Sequence, residues 1–386
     1  MNKDKNYFDY SLLFLIILLM IFSCIGLISA QKYVQIDENY FSKQIIWFIV
    51  GSIIVLAIFC FDFDSIRKLT PILYILGILL LIGVLIAPES IAPSRKGAKS
   101  WFIIPGIGSI QPSEFMKIFL ILMLSNVVTK HLERYTVGLI KNDFKLLFKI
   151  GLVSLLPMGL TLLQNDFGTS LVMFVITVGV VFISGISWKI ILSLMSIGIS
   201  ILALLVGIFI YDPEILLFVM DQYQLNRIYA WLDPFGNAQG IGYQLKQSIV
   251  AIGSGMTYGK GFKDSNVYIP EAHTDFIFSI VAEEFGFVGA SVLISIYFLI
   301  IYRMVSISMQ NKNNPFESFI CVGMISLLSF HVFQNIGMVI GLIPITGIPL
   351  PLMSYGGSSV MATMIGLGLV LNVSLKTKNY MFSREE

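Results

Sequence analysis

Residues 11–30, SLLFLIILLMIFSCIGLISA, are twenty consecutive residues without a charged side chain. A run of this length matches the roughly 20 apolar residues that a helix needs to cross a bilayer core of about 30 Å. It exceeds the apolar segment of about 7–15 residues that is typical of a secretory signal peptide, and more apolar runs follow it. We therefore interpret it as an uncleaved first membrane span.

The same pattern recurs along the whole chain of 386 residues, of which 56% are hydrophobic and only 12% are charged. Soluble proteins carry about 25% charged residues, so a soluble multi-domain enzyme is excluded. Ten runs are long and apolar enough to span a membrane: 11–30, 44–61, 71–88, 113–130, 146–163, 167–185, 188–210, 275–302, 317–341 and 352–375. We predict an all-α polytopic membrane protein with ten transmembrane helices. Residues 1–386 form a single membrane domain, with a large extracellular loop at 211–274 between helices 7 and 8.

Charge and cysteine content exclude two further classes of function. The net charge is only +2, which leaves no basic field to hold a nucleic acid. The three cysteines and three histidines are scattered and show no spacing typical of a disulfide framework or a zinc site. We therefore predict no nucleic-acid partner and no metal held by cysteine and histidine.

The distribution of lysine and arginine predicts the orientation in the membrane. Fifteen of these residues fall in the two termini and the even-numbered loops, against five in the short odd-numbered loops. Cytoplasmic loops carry the excess of positive charge, so both termini are predicted to be cytoplasmic. The loop at 211–274 is then outside the cell. Its length and its apolar residues among glycines indicate an external cap with short helices.

Two groups of charged residues lie at the external end of the predicted spans. Glu114 and Lys117 are three residues apart and therefore meet on one helix face. They form either a buried ion pair that fixes two helices or the inner part of a path for an anionic headgroup. Arg95, Lys96 and Lys99 in the third loop either contact lipid headgroups or attract an anionic ligand.

Three ionisable residues, Glu271, His273 and Asp275, lie where the long loop meets the eighth span. One interpretation is that Thr274 or Asp275 is simply the N-cap of that helix. The other is a water-accessible site that faces the membrane surface. Further along the chain, residues 347–359 are rich in proline and glycine, which predicts a re-entrant turn beside protein or a cavity.

Several motifs in this order resemble the SEDS family, whose members act in shape, elongation, division and sporulation. They are PSEFMK at 112–117, YIPEAHTDFIFSIVAEEFGFVG at 268–289 and GIPLPLMSYGGSS at 347–359. The resemblance covers nearly the whole chain. It is closer to RodA than to FtsW, because GIPLP at 347–351 and the glycines at 253–261 have the RodA form.

The resemblance implies a peptidoglycan glycosyltransferase of the bacterial cytoplasmic membrane, which polymerises lipid II into β-1,4 glycan strands on the outer face for cell elongation and shape. It also implies a class B penicillin-binding protein, a transpeptidase, as partner, together with other elongation or division proteins. The essential aspartate of the family corresponds by motif to Asp275, and the loop tryptophan corresponds to Trp101.

The residue types suit this chemistry. Glycoside hydrolases need two carboxylates because a sugar leaving group must be protonated, whereas a diphosphate leaves as an anion. One carboxylate plus positive charge can therefore suffice, with Asp275 as the candidate catalytic base. The candidate substrate-binding residues are Trp101, Lys117, Glu114, Lys99, Lys96, Arg95, Arg227, Glu271 and His273. A divalent cation, Mg²⁺ or Mn²⁺, that bridges the diphosphate to Asp275 or Glu271 is compatible with the sequence, although no ligand set demands it.

Two other functions stay open at this point. A flippase for a lipid-linked precursor would need polar groups through the bilayer, and Glu114, Glu283 and Glu284 keep this hypothesis open. Glu283 and Glu284 are either polar groups in helix contacts, which we favour, or a second charged layer of the same cavity. A non-catalytic scaffold for a transpeptidase is the third hypothesis, although it leaves the external charges unexplained.

Overall fold

The computed structural model describes residues 8–33, 39–94, 97–104, 108–136, 138–218, 221–236 and 240–382. These residues form twelve α-helices, two short 3₁₀ helices and two short strands. The α-helices are α1 (Tyr10–Ala30), α2 (Tyr40–Phe59), α3 (Phe63–Ile86), α4 (Pro112–Leu132), α5 (Ile140–Leu163), α6 (Phe167–Ile183), α7 (Trp188–Tyr211), α8 (Gln222–Leu232), α9 (Ile241–Ser254), α10 (Ile277–Gln310), α11 (Pro315–Val339) and α12 (Gly357–Phe382). The strands are β1 (Phe102–Ile104) and β2 (Gly108–Ile110), and the 3₁₀ helices are Gln31–Tyr33 and Pro213–Phe218.

The helical membrane fold is confirmed. Among the described residues, nine helices are long and apolar enough to cross a membrane, and α6 is a shorter apolar helix of 17 residues. At about 1.5 Å per residue this helix is only about 25 Å long. The ten predicted spans correspond to α1–α7 and α10–α12.

The third loop differs from the purely helical prediction. Strands β1 and β2 pair antiparallel, with Phe102 opposite Ile110 and Ile104 opposite Gly108. Strands of three residues are too short to show an alternation of apolar and polar side chains that a sequence pattern could reveal. The hairpin lies immediately before α4.

Helix α4 is the centre of the bundle. It packs against α3, α5, α6, α11 and α12. Because neighbours surround it, it can bury polar residues that a lipid-facing helix could not, and its buried polar residues are Ser113, Glu114, Lys117, Ser125, Asn126, Thr129 and His131. Helix α4 therefore carries a row of polar side chains inside the bundle.

The long loop forms the predicted cap with short helices, α8 and α9. Trp231 Nε1 in α8 donates to the carbonyl oxygen of Gly341 at 2.9 Å. Ser248 Oγ in α9 donates to the carbonyl oxygen of Val339 at 2.7 Å. Both bonds reach the C-terminal end of α11 or the residues just after it. The cap is therefore attached to the same end of α11 that leads into residues 340–356.

A kink at Gly286 divides α10, because this residue has φ +62° within the helix. The loop at 255–261 passes so close to the kink that a Cβ atom on Gly259 would overlap the carbonyl group of Glu284. Glu283 Oε1 accepts hydrogen bonds from Lys260 Nζ and from the backbone amides of Asn266 and Val267. Glu283 thus holds the loop on α10.

Its neighbour Glu284 holds a different element. Glu284 Oε2 accepts a hydrogen bond of 2.6 Å from Ser29 Oγ in α1. Both glutamates therefore make polar contacts with neighbouring protein elements, as in the interpretation that we favour.

Helix α7 stands apart from the bundle. Of its residues, which the structure describes throughout, only Ile190 and Ile191 at its beginning are buried. Beyond them it contacts mainly the 3₁₀ helix that follows, and Phe209 packs near Tyr229 of α8 at 5.7 Å between ring centroids. Most of α7 is consequently exposed and does not pack into the bundle.

We predict that Gly259→Ala destabilises the protein. Gly259 has φ +80°, a backbone conformation that is strained for alanine. It also lies against the backbone of Glu284, so an added methyl group would overlap the carbonyl group of that residue. A cost of more than about 1 kcal/mol is expected, seen as a lower Tm in detergent. The matched control is Gly198→Ala in α7, where an added Cβ meets nothing within 4 Å. This control should melt at or above the wild-type temperature; equal melting of both variants would contradict the close approach.

Candidate active site

The turn that carries Asp275 is not a helix cap. Helix α10 begins at Ile277 with Phe276 as its N-cap, and no side chain caps it. The interpretation of Thr274 or Asp275 as N-cap is therefore wrong, because the helix starts too late in the chain. The amide and the hydroxyl of Thr274 instead both donate to the carbonyl oxygen of Glu271, at 3.0 and 3.1 Å. The Asp275 side chain itself is half-buried.

The backbone of this turn is fixed at three consecutive carbonyl oxygens. His273 O accepts from the amide of Tyr355 at 2.9 Å, and Thr274 O accepts from Ser354 Oγ at 2.6 Å. Asp275 O accepts from Asn335 Nδ2 at 2.8 Å. The donors come from α11 and from the glycine- and proline-rich residues that follow it. The position of Asp275 therefore depends on those residues.

The Asp275 carboxylate lies against Gly347. A Cβ atom built on Gly347 would be 3.3 Å from Asp275 Oδ2, and Gly347 has φ +73°. A side chain at this position would be strained and would crowd the carboxylate. Gly347 therefore keeps space open beside Asp275.

Lys117 and Glu114 form the buried ion pair that their spacing predicted. Lys117 Nζ is 2.9 Å from Glu114 Oε1, and the two residues are only 2% and 5% exposed. Lys117 Nζ also lies 3.2 Å from His331 Nε2, and His331 Nδ1 lies 3.1 Å from the carbonyl oxygen of Pro349. A lysine ammonium only donates and a carbonyl oxygen only accepts. The two partners therefore assign His331 as the neutral tautomer with its proton on Nδ1.

Helix α11 joins this ion pair to Asp275. His331 and Asn335 are four residues apart and so lie on one face of the helix. His331 binds Pro349 O, whereas Asn335 Nδ2 donates to Ile348 O at 2.8 Å as well as to Asp275 O. The segment 347–350 therefore lies between the carboxylate and the buried lysine, held by two side chains of one helix.

The sequence did not point to His331 or to Asn335. The histidines looked scattered along the chain, and the asparagine lies in an apolar run. Their one shared signal is the spacing of four residues on a helix that precedes the irregular segment. This spacing becomes informative only once the segment is known to fold back on α11.

Two further predicted residues surround the turn. The His273 ring stacks on the ring of Tyr40, with centroids 4.3 Å apart and an interplanar angle of 11°. Arg227 in α8 donates from Nη1 to the carbonyl oxygen of Ile345 at 3.1 Å. The structure therefore brings Glu271, His273 and Arg227 to the same region as Asp275, next to residues 345–355.

In the third loop, Lys99 makes a contact that the sequence did not predict. Lys99 Nζ donates to the carbonyl oxygens of Leu85 and Ala87, at 3.1 and 2.6 Å. Its ammonium thus caps the C-terminal end of α3, as basic side chains commonly do at helix ends. Trp101 is half-buried directly before β1. Arg95 and Lys96 lie outside the described residues.

A polar cluster around Asp166 was not predicted. The carboxylate caps α6 through the amide of Thr169 at 3.1 Å and accepts from Gln111 Nε2 at 2.9 Å. The backbone amide of Gln111 in turn donates to Ser358 Oγ at 2.9 Å. The beginnings of α4, α6 and α12 therefore meet here. An N-cap pattern, an aspartate three residues before a threonine, was the only sign of it in the sequence.

Comparisons with known proteins identify the family. The protein family described as "Cell cycle protein", which groups FtsW, RodA and SpoVE, matches residues 6–379. The chain belongs to this family. The SEDS resemblance is therefore confirmed over nearly the whole sequence.

Similar proteins of this SEDS family match nearly the whole chain. Peptidoglycan glycosyltransferase MrdB of Escherichia coli K12 is 33% identical over 97% of this chain and 95% of its own length. A probable peptidoglycan glycosyltransferase FtsW of Lactococcus lactis is 34% identical over 98% of this chain and 95% of its own.

Solved structures agree with the fold. A chain of a peptidoglycan synthase complex that coordinates polymerization and crosslinking has a TM-score of 0.77 and 30% identity, over 96% of this chain and 98% of that chain. The rod shape determining protein RodA of Thermus thermophilus has a TM-score of 0.66 and 28% identity, over 96% of this chain and 97% of its own.

We predict that Lys117→Ala destabilises this SEDS protein strongly. Removal of one partner leaves the Glu114 carboxylate buried without its ion pair, which costs about 3–5 kcal/mol and lowers Tm. The double variant Glu114→Gln/Lys117→Met removes both charges and should melt closer to the wild type. A single variant that melts like the wild type would mean that the pair is not buried.

Proposed function

We propose that this protein is a peptidoglycan glycosyltransferase that polymerises lipid II into β-1,4 glycan strands on the outer face of the bacterial cytoplasmic membrane, for cell elongation and shape. The observation that carries the proposal is the joining of Asp275 to the Lys117–Glu114 pair through residues 347–350. A carboxylate as base and a positive charge to stabilise the leaving group can suffice for glycosyl transfer from a diphosphate. The names of the MrdB and FtsW relatives support the same activity.

In this mechanism Asp275 is the catalytic base. Its carboxylate takes the proton from the acceptor sugar hydroxyl, whose oxygen then bonds to the anomeric carbon of the donor sugar. The bond from that carbon to the diphosphate oxygen breaks, and the diphosphate leaves with the electron pair. Attack from the face opposite the leaving group inverts the anomeric carbon and gives the β linkage. The space that Gly347 leaves beside Asp275 Oδ2 suits the approaching hydroxyl.

Positive charge near the leaving group stabilises the departing diphosphate. Lys117 is proposed to supply it, because Glu114 and the neutral His331 hold its ammonium in a fixed position. Arg227 lies next to residues 345–347 and can add to it. Arg95, Lys96 and Lys99 contribute long-range attraction from the third loop, although Lys99 is held at the end of α3. Trp101 is proposed to contact the substrate there.

A bound divalent cation would depend on the substrate for most of its ligands. Among the described residues, no group of three or more histidine, cysteine, aspartate or glutamate side chains could hold a metal ion. Mg²⁺ or Mn²⁺ would therefore need the diphosphate oxygens together with Asp275 or Glu271.

The exposed surface of α7 suits a lipid-linked substrate. Only Ile190 and Ile191 of α7 are buried, so an isoprenoid tail can lie in the bilayer against the rest of this helix while its headgroup reaches Asp275. A soluble sugar nucleotide would have no use for such an apolar surface. This supports lipid II rather than a water-soluble donor.

The flippase hypothesis is weaker in this arrangement. Glu114 pairs with Lys117, Glu283 holds the loop and Glu284 bonds to Ser29. All three carboxylates thus bind protein groups near the Asp275 end of the bundle. A non-catalytic scaffold would not require the contacts that fix Asp275 beside Gly347.

The proposed partner is a class B penicillin-binding protein. The structural neighbour with TM-score 0.77 belongs to a complex that combines polymerization with crosslinking. Crosslinking by a transpeptidase would act on the strands that this protein makes, and other elongation or division proteins would join the same complex.

We predict that Asp275→Asn abolishes polymerisation while expression, Tm and partner binding stay unchanged. The amide cannot accept the hydroxyl proton as a base but occupies nearly the same volume. The measurement is the glycan polymer made from lipid II by the purified protein with its partner in detergent, resolved on a gel. Asp264→Asn in the exposed part of the same loop is the matched control and should stay active. Polymer at a near wild-type rate from Asp275→Asn would exclude the base assignment.

We also predict that both termini are cytoplasmic. The charge distribution supports this orientation, which puts the Asp275 turn and the cap helices outside. The test uses a reporter that is active only in the cytoplasm. It should be active when fused after Glu386 and silent when inserted after the exposed Gly236, between α8 and α9 of the cap. The opposite pattern would reverse the topology.

A further inference from the structure

A second charged surface lies at the other end of α4, away from Asp275. It consists of Tyr135, just after α4, and of Lys145 and Lys149 on the first turns of α5. Lys145 Nζ donates to the Tyr135 hydroxyl at 2.8 Å and lies 4.3 Å from the centre of its ring. Lys149 Nζ lies 5.5 Å from the same centre. Two ammonium groups thus lie close to one aromatic ring. We call Tyr135, Lys145 and Lys149 the Tyr135 surface.

Nearby carboxylates are bound elsewhere. Asp143 is fully buried, and its two oxygens accept from the backbone amides of Gly138 and Ser187, at 3.0 and 3.1 Å. Glu133 pairs with Arg67 at 2.8 Å. Within the described part of the chain, neither carboxylate neutralises the two lysines. The local positive field also lowers the pKa of the Tyr135 hydroxyl, first through its hydrogen bond with Lys145 and then through the charge of Lys145.

An apolar stripe runs directly beside these lysines. Phe148 and Leu152 on α5 are 73% and 67% exposed, and they follow Lys145 and Lys149 by three residues each. Residues three apart are neighbours on a helix surface, so the aliphatic part of each lysine side chain lies next to an exposed apolar side chain. Helix side chains point toward the N-terminus, which directs both lysines to the membrane surface and leaves the stripe in the bilayer.

We propose that the Tyr135 surface binds the headgroup of an anionic phospholipid, with its acyl chains along Phe148 and Leu152. The juxtaposition of two lysines on one ring with a lipid-facing stripe on the same helix matches a molecule that is anionic at one end and apolar at the other. An acidic protein segment would match the lysines but not the stripe. This binding is separate from the proposed glycosyl transfer, because it uses the opposite end of α4.

The test uses the full-length protein in nanodiscs of phosphatidylcholine that contain a minor fraction of phosphatidylglycerol. Native mass spectrometry then counts the phosphatidylglycerol and phosphatidylcholine molecules that stay bound. We expect the wild type to retain phosphatidylglycerol preferentially, and Lys145→Gln/Lys149→Gln to weaken this retention about tenfold. The retention should also fall as salt is raised from about 0.1 M to about 1 M.

Two variants control the result. Lys68→Gln/Lys312→Gln removes the same charge from exposed lysines of α3 and of the loop before α11, and it should retain phosphatidylglycerol like the wild type. Tyr135→Leu keeps both lysines but removes the ring that gathers them, so it should show an intermediate loss. Unchanged Tm in detergent verifies that each variant is folded.

Three results would overturn the proposal. One is equal retention of the two lipids by the wild type. Another is an equal loss in Lys145→Gln/Lys149→Gln and in the control pair, which would show a general charge effect. The third is binding of a poly-glutamate peptide in pure phosphatidylcholine discs as tightly as phosphatidylglycerol, which would assign the surface to an acidic protein segment.

Discussion

The hydrogen bonds that Asn335 and His331 make with residues 347–350 are the constraint on which the candidate site depends. Pro349 lies within this segment and Pro351 directly after it, so the segment cannot form a regular helix, and irregular backbone at membrane depth needs protein partners. Asn335 supplies them by donating to Ile348 O and Asp275 O at 2.8 Å each. A single amide therefore fixes both the segment and the turn that carries the carboxylate.

The same constraint explains how a lysine can be buried beside hydrocarbon. Lys117 has an ion-pair partner in Glu114 and a neutral acceptor in His331, which is itself held in one tautomer by Pro349 O. A charged histidine there would face the ammonium with a like charge. The carbonyl of Pro349 thus acts on Lys117 through the imidazole, and the irregular segment sets the electrostatics of the site as well as its shape.

Local features of the sequence predicted most of the fold and part of the site. The ten spans followed from the length of apolar runs, and the Glu114–Lys117 pair followed from a spacing of three on one helix. The contacts of Asn335 with Asp275 and of Lys117 with His331 join residues 60 and 214 positions apart, so they depend on how the helices pack. The contact of Lys99 with the end of α3 escaped prediction for the same reason, since loop charge alone does not reveal which carbonyls lie within reach.

The charged side chains at the two ends of α4 differ in what they contact, and this difference bears on how the protein would bind lipids. At the Asp275 end, Glu114, Lys117 and Glu283 are all bonded to protein groups, so the electrostatic field is preorganised and costs no rearrangement during a reaction. At the Tyr135 end, Lys145 and Lys149 lie near one aromatic ring beside exposed apolar side chains, where we propose that a lipid headgroup binds. Fixed charges suit bond breaking at a defined atom, whereas charges at the membrane surface suit a headgroup that exchanges with the bilayer. One helix, α4, therefore extends from the candidate active site to the proposed lipid-binding surface.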